Sequence, residues 1–219
     1  MAPMRESMER MNSFIQDTTH ELNTPISTIL TNIGMLETFG KCEKNDELQR
    51  IEIASKTLSR IYDDLTYLNL NHEYYRYIES INVSEFIKER MLYFTVMAEH
   101  KRLDIEVTIE ENVMLEIDKN DLTRLVDNLI TNAIKYNKQE GFLKLSLTQE
   151  FLSVTDTGVG IQKKDLDTIV CRFKRANKSE GGFGIGLDIV NQVVESYGFI
   201  LDIHSKIGKG TEVVVRWEK

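Results

Sequence analysis

The residues best suited to chemistry begin with His20, Glu21 and Thr24, in the run Phe14-Ile-Gln-Asp-Thr-Thr-His20-Glu21-Leu-Asn-Thr24-Pro25. An imidazole beside a carboxylate, with a hydroxyl one helical turn further on, suits phosphoryl chemistry on the ring. Glu21 can accept a hydrogen bond from one ring nitrogen, fixing the tautomer that leaves the other a free lone pair. A lone histidine on a helix is more often a surface or packed residue, and His72, His100 and His204 are read that way. A second set lies far downstream. Val154-Thr-Asp156-Thr-Gly158-Val-Gly160-Ile161 begins β-rich and ends in glycines, which let the backbone leave a strand and pass close to a ligand. Gly181-Gly182-Phe-Gly184-Ile-Gly186-Leu187 precedes a helical pattern, so its amides can converge on phosphate at a helix N-terminus. Between the two sets, Asn128, Asn132 and Lys135 fall at i, i+4 and i+7 of one helix, with Leu125, Leu129 and Ala133 on the packed side. Taken singly, the asparagine stripe reads as a solvated helix face and Asp-x-Gly-x-Gly as an ordinary turn.

The elements that must position these groups follow from hydrophobic periodicity. Met11, Phe14, Ile15, Leu22, Ile26, Ile29, Leu30, Ile33 and Leu36 trace a long amphipathic helix, and Leu48, Ile51, Leu58, Ile61, Leu65 and Leu68 a second after the polar turn at Gly40–Asp46. Two such helices make an antiparallel hairpin that cannot bury both stripes alone, so two copies are expected to pair as a dimeric four-helix bundle. The polar and aromatic stretch 72–82 reads as a linker between an N-terminal domain, 1–71, and a second domain, 83–219. The second pattern is mixed: helices near 83–100, 119–136 and 185–197, strands near 103–109, 113–117, 142–147 and 151–154, and a closing hairpin at Gly208-Lys-Gly210. This predicts an α+β chain whose C-terminal half is an α/β sandwich.

Composition excludes several classes. Among 219 residues the formal net charge is −8, which opposes nucleic-acid or anionic-membrane binding. Cys42 and Cys171 form neither a close pair nor a metal-ligand spacing. No run of about 18 apolar residues occurs, so no spanning segment is expected. No Gly-Lys-Ser or Gly-Lys-Thr is present for a Walker loop, and the late glycines follow no opening βαβ unit, which speaks against a dinucleotide fold.

In this order, the His-Glu-Leu-Asn-Thr-Pro core, Asn-Leu-Ile-Thr-Asn-Ala-Ile-Lys-Tyr, Asp-Thr-Gly-Val-Gly, Gly-Phe-Gly-Ile-Gly-Leu and Gly208-Lys-Gly-Thr211 resemble the boxes of sensor histidine kinases of two-component signalling. The resemblance implies a dimerisation and phosphoacceptor domain followed by an ATP-binding domain of the histidine kinase and chaperone ATPase type. His20 would be phosphorylated from ATP and pass the group to an aspartate on the receiver domain of a cognate response regulator. Glu21 would act as base and orienter, and Thr24 would serve dephosphorylation of the regulator. Asn132 would bind Mg2+, with Asn128 beside the phosphates, Lys135 on phosphate and Tyr136 lining the adenine pocket. Asp156 would accept from the adenine amine, while Gly158, Gly160, Ile161, Gly182, Gly184, Gly186, Leu187 and Thr211 line the nucleotide. Lys174, Arg175 and Lys178 belong to the segment matching a mobile lid over ATP. Two departures stand out: Asn23 replaces the family's usual Arg, and Val170 replaces the first of two lid phenylalanines, leaving Phe173. They motivate a second reading, a catalytically silent dimeric scaffold. A third is an ATPase of the chaperone or mismatch-repair type, against which the phosphoacceptor hairpin argues. The resemblance also implies a bacterial cytoplasmic core, held at an inner membrane only through a sensor region outside this sequence.

Overall fold

The computed structural model describes residues 22, 25–36, 48, 51, 54–55, 58, 75–166, 169 and 186–217. The expectations for His20, Glu21, Thr24, Arg175, Gly182 and Gly184 lie outside the described residues, as do those for Asn23, Val170 and Phe173. The chain divides into two compact units, with a boundary between Tyr74 and Tyr75.

In the first unit, residues 25–36 form a helix, α1, and Leu48, Ile51, Ala54, Ser55 and Leu58 are helical as well. Ile26, Leu30 and Ile33, spaced i, i+4 and i+7 on α1, are exposed in a single chain, Leu30 to 64%. A stripe of this kind on a short helix is stable only when another apolar surface covers it.

The second unit runs β1 (Ile78–Asn82), α2 (Val83–His100), β2 (Asp104–Ile109), β3 (Met114–Asp118), α3 (Lys119–Lys135), β4 (Phe142–Leu147), β5 (Phe151–Asp156), α4 (Lys163–Leu166), α5 (Gly186–Tyr197), β6 (Ile200–Lys206) and β7 (Gly210–Arg216). Side chains fix the helix starts. Asn82 accepts the N–H of Glu85 at the head of α2, and Asp118 accepts those of Asn120 and Asp121 at the head of α3. β1 and β3 form a two-stranded antiparallel sheet, and the main sheet has the order β2-β4-β5-β7-β6. β2 and β4 are parallel, so β3 and α3 make the crossover between them, whereas the other neighbours in the main sheet are antiparallel.

Helices α3 and α5 pack on each other and reach β5 and β6 respectively. The core between helices and sheet holds Leu122, Leu125, Leu129 and Ile130 from α3, Ile189, Val190 and Val193 from α5, and Leu143, Leu145, Leu152, Val154 and Val215 from the sheet. Strict alternation on β4, with Leu143, Leu145 and Leu147 inward, shows one sheet face turned to this core. Part of the stretch read as a linker is structured: Ile78–Asn82 is strand β1, paired residue by residue with β3. Only its last two residues are better than exposed, so burial gives it no apolar alternation to read. Among the described residues, no helix is long and apolar enough to cross a membrane.

Candidate functional site

Three segments distant in sequence meet around Asp156: the C-terminal turns of α3, the glycine loop after β5, and the turn into β7. Asp156, the last residue of β5, is 8% exposed. Its Oδ1 accepts the N–H of Gly158 at 2.8 Å and the N–H of Thr211 at 3.3 Å. Both bonds fall on one oxygen. Burial pushes the Asp156 carboxyl above its ordinary range, and the two N–H donors pull partly the other way.

Close backbone approach explains the glycines. A Cβ on Gly158 would stand 2.0 Å from the Tyr136 carbonyl oxygen, at the end of α3, and one on Gly210 would stand 1.9 Å from the Asp156 carbonyl oxygen. Val159 N–H donates to that same Tyr136 carbonyl at 3.1 Å, so the loop lies directly on the helix terminus. Gly210 also has φ of +109°, a conformation open to glycine.

Around this loop, hydroxyl and amide side chains act as staples. Asn137 is buried and donates through Nδ2 to the Phe142 carbonyl at 3.0 Å, while its Oδ1 accepts from Thr157 Oγ1 at 3.3 Å. Thr157 Oγ1 in turn accepts the Phe142 N–H at 2.8 Å. Lys101 caps the end of α3, donating through Nζ to the carbonyls of Lys135 at 2.5 Å and Asn137 at 3.1 Å, where a cation suits a helix C-terminus. On the far side, Ser205 Oγ accepts the Ile161 N–H at 2.8 Å and lies 2.8 Å from Thr211 Oγ1.

The asparagine stripe lies where the sequence spacing puts it. Leu125, Leu129 and Ala133 are buried, and Asn128, Asn132 and Lys135 are half-buried on the other side of α3. Asn128 Nδ2 donates to the Arg124 carbonyl at 2.8 Å. A Cβ on Gly186, the first residue of α5, would stand 2.8 Å from Asn128 Oδ1 and 3.4 Å from Asn132 Nδ2. The N-terminal end of a 12-residue helix therefore adjoins both amides. Unpaired N–H groups and the helix dipole make such an end attractive to anions. Lys135 Nζ lies 5.4 Å from the centre of the Tyr136 ring.

Of the expected site residues, the structure thus gathers Asp156, Gly158, Tyr136 and Thr211 into one cluster, with Gly160 and Ile161 continuing its loop. It gathers Asn128, Asn132 and Gly186 into another on the same helix, with Leu187 following in α5. Asn137, Thr157, Lys101 and Ser205 were missed in the sequence. A polar residue just after a helix or inside a glycine loop is the only local signal that Lys101, Asn137 and Thr157 give, and Ser205, inside β6, gives none. The arrangement offers a buried carboxylate acceptor at one end of α3's face, and amide oxygens, a lysine and a helix N-terminus along it. That combination suits a ligand with a hydrogen-bonding ring and an anionic tail.

Fold and site define an ATPase domain of the type shared by histidine kinases, DNA gyrase B and HSP90, whose family model matches residues 117–219. The histidine kinase phospho-acceptor domain model matches residues 10–74. With both domains in this order, the chain belongs to the sensor histidine kinases. It is 27% identical over 225 aligned positions to the signal transduction histidine-protein kinase ArlS of Staphylococcus aureus (strain USA300), covering 96% of this chain and 49% of that protein. The chain therefore spans about half the length of the curated relatives it matches. Among solved structures, a mycobacterial sensor histidine kinase, MprB, is 29% identical with a TM-score of 0.56, covering 64% of this chain and 96% of that one. The histidine kinase ThkA, solved in complex with the response regulator protein TrrA, is 19% identical with a TM-score of 0.64, covering 97% of this chain and 63% of that one, a likeness of fold.

Proposed function

We propose that this chain is the catalytic core of a homodimeric sensor kinase that phosphorylates His20 from ATP and passes the phosphoryl group to an aspartate on a response-regulator receiver domain. The observation that carries the nucleotide half of this reading is the pairing of a buried Asp156, both of whose N–H bonds fall on Oδ1, with a helix N-terminus set against Asn128 and Asn132. The remaining carboxylate oxygen accepts from the exocyclic amine of adenine. Guanine carries a carbonyl at that place and is refused by two opposed acceptors. Tyr136 and Thr211 flank the base, while Lys135, the α5 N-terminus at Gly186 and Leu187, and lid residues Arg175, Gly182 and Gly184 address the phosphates.

The residues fit a magnesium ion. Among the described residues no trio of His, Cys, Asp or Glu is grouped to hold a metal. The donors on this face are amide oxygens, and Mg2+ commonly takes only one or two protein oxygens and completes its shell with water and phosphate. Asn132 would hold it, with Asn128 alongside, and the ion supplies charge neutralisation on the triphosphate when bound.

At the acceptor, Glu21 holds one imidazole nitrogen so that the other presents its lone pair to the γ-phosphorus. An N–P bond forms, the bond to the bridging β–γ oxygen breaks, and ADP leaves with its charge held by the cationic and N–H groups above. Thr24, one turn on, is placed for the reverse duty of helping water dephosphorylate the regulator. The exposed stripe of Ile26, Leu30 and Ile33 supports the homodimer, since a second hairpin would cover it. The membrane relation belongs to a sensor region outside this chain, which places the core on the cytoplasmic face.

The test is a chase. Protein loaded with γ-labelled ATP is freed of nucleotide and mixed with candidate receiver domains. The reading expects label to leave the kinase and reach a receiver aspartate as a base-labile acyl phosphate. Label that stays on a fully loaded kinase with every candidate receiver from the same genome refutes the transfer step.

A further inference from the structure

Ser205 stands directly across the β6–β7 pair from Thr211, and its one hydroxyl makes three contacts. It accepts the Ile161 N–H at 2.8 Å, lies 2.9 Å from the Gly210 carbonyl oxygen, and lies 2.8 Å from Thr211 Oγ1. The proton positions follow from elementary valence. A serine hydroxyl has one hydrogen and two lone pairs. The Gly210 carbonyl can only accept, so the Ser205 hydrogen goes there. The Ile161 N–H can only donate, so it takes one lone pair. The Thr211 contact must then use the second lone pair, with Thr211 as donor.

The consequence falls on the nucleotide cluster. With its only hydrogen spent on Ser205, Thr211 can offer a ligand nothing but lone pairs. Its own backbone N–H lies against Asp156 Oδ1, so the threonine and the carboxylate stand side by side. We infer that Ser205 is a positioning residue for base selection: it holds Thr211 as a hydrogen-bond acceptor beside Asp156, so that this end of the site accepts a purine bearing an amine at position 6 and opposes one bearing a carbonyl. This rests on the nucleotide reading of the site given above. Without Ser205, the Thr211 hydroxyl is free to turn its hydrogen toward a carbonyl.

The experiment compares ADP with IDP, which differ only in the exchange of the 6-amine for a 6-carbonyl and in the N1–H that accompanies the carbonyl, by calorimetric titration of the whole chain. For each variant the measured quantity is the ratio of the two dissociation constants, in which any loss of folded protein cancels. Wild type should favour ADP. Ser205→Ala should lower the ADP preference by about fivefold or more, the size of one neutral hydrogen bond gained by one base and lost by the other. Ser205→Thr, which keeps a hydroxyl, should restore it. In a Thr211→Val background, Ser205→Ala should change the ratio no further. An unchanged ratio in Ser205→Ala, or an equal fall with Thr211 already replaced by Val, overturns the inference while leaving the nucleotide site intact. A wild type that binds ADP without preferring it to IDP also overturns it. A wild type that binds neither nucleotide overturns both this inference and the reading beneath it.

Discussion

Gly158→Ala is the most informative single perturbation of the site. The added Cβ would lie 2.0 Å from the Tyr136 carbonyl oxygen, 2.7 Å from its carbon and 2.8 Å from Asn137 Cα, all backbone atoms. Real Cβ contacts essentially never fall under 3.0 Å, so loop and helix end must separate by about 1 Å (3.0 less 2.0). That movement breaks the Val159 N–H bond to Tyr136, now 3.1 Å, and pulls on the Gly158 N–H bond to Asp156, now 2.8 Å. Two hydrogen bonds at about 1 kcal/mol each, with overpacking of about 1–2 kcal/mol, put the total near 3–4 kcal/mol. Part appears as lost stability and part as lost binding. A charge-assisted bond from adenine to a displaced carboxylate costs about 1.5–3 kcal/mol, so ADP affinity should fall by roughly ten- to hundredfold. Gly198→Ala is the control: φ there is +65° and nothing stands within 4 Å of the new Cβ. It should cost about 1–2 kcal/mol of stability through backbone strain alone and leave ADP binding unchanged. Calorimetric titration and thermal unfolding of both variants decide the matter. ADP binding by Gly158→Ala within twofold of wild type, or an equal loss in Gly198→Ala, refutes the proposed seating of the loop.

Two further outcomes are expected. Because burial raises the Asp156 carboxyl in the folded protein, its ionisation opposes folding: the stability it contributes is full below its unfolded pKa and is lost as pH rises through the raised folded value. Asp156→Asn should therefore raise the melting temperature at pH 7 while weakening ADP binding by about tenfold or more, and should abolish the fall in ADP affinity expected of wild type on acidification. A melting temperature lower in the variant, with ADP affinity unchanged, contradicts this. Asp121, with a fully buried side chain, takes Arg76 Nε at 2.7 Å and the Tyr197 hydroxyl at 3.0 Å, with Arg124 at 3.7 Å. Asp121→Ala removes the carboxylate these groups share and should cost about 3–5 kcal/mol in denaturant unfolding; a loss under about 1 kcal/mol would show that the cluster holds nothing together.

Local pattern made much of the second unit legible. The helix at 83–100 and the strand at 142–147 coincide with α2 and β4, because Asn82 caps the one and strict Leu alternation marks the other. The stretch 151–154 extends to Asp156, so the site carboxylate sits at the strand's end rather than in the loop. Pairing between distant segments was not legible. β2 and β3 follow each other in sequence and look like partners, yet β2 pairs in parallel with β4 and β3 with β1. β1 itself escaped because Ile78-Glu-Ser-Ile-Asn has no alternating burial and draws its stability from β3. The same limit applies to the site. The motifs name Asp156 and Thr211, but the bond joining them spans 55 positions, and the Ser205 staple depends on the register of β6 against β7.

The central claim is that nucleotide held by Asp156 and the asparagine face is spent on His20. Incubating the whole protein with γ-labelled ATP and Mg2+, wild type beside His20→Ala and Asp156→Asn, tests it most directly. The account predicts acid-labile, base-stable label on wild type, none on His20→Ala although it still binds ADP, and a strongly reduced amount on Asp156→Asn. Equal label on His20→Ala, or label stable to acid, would contradict it.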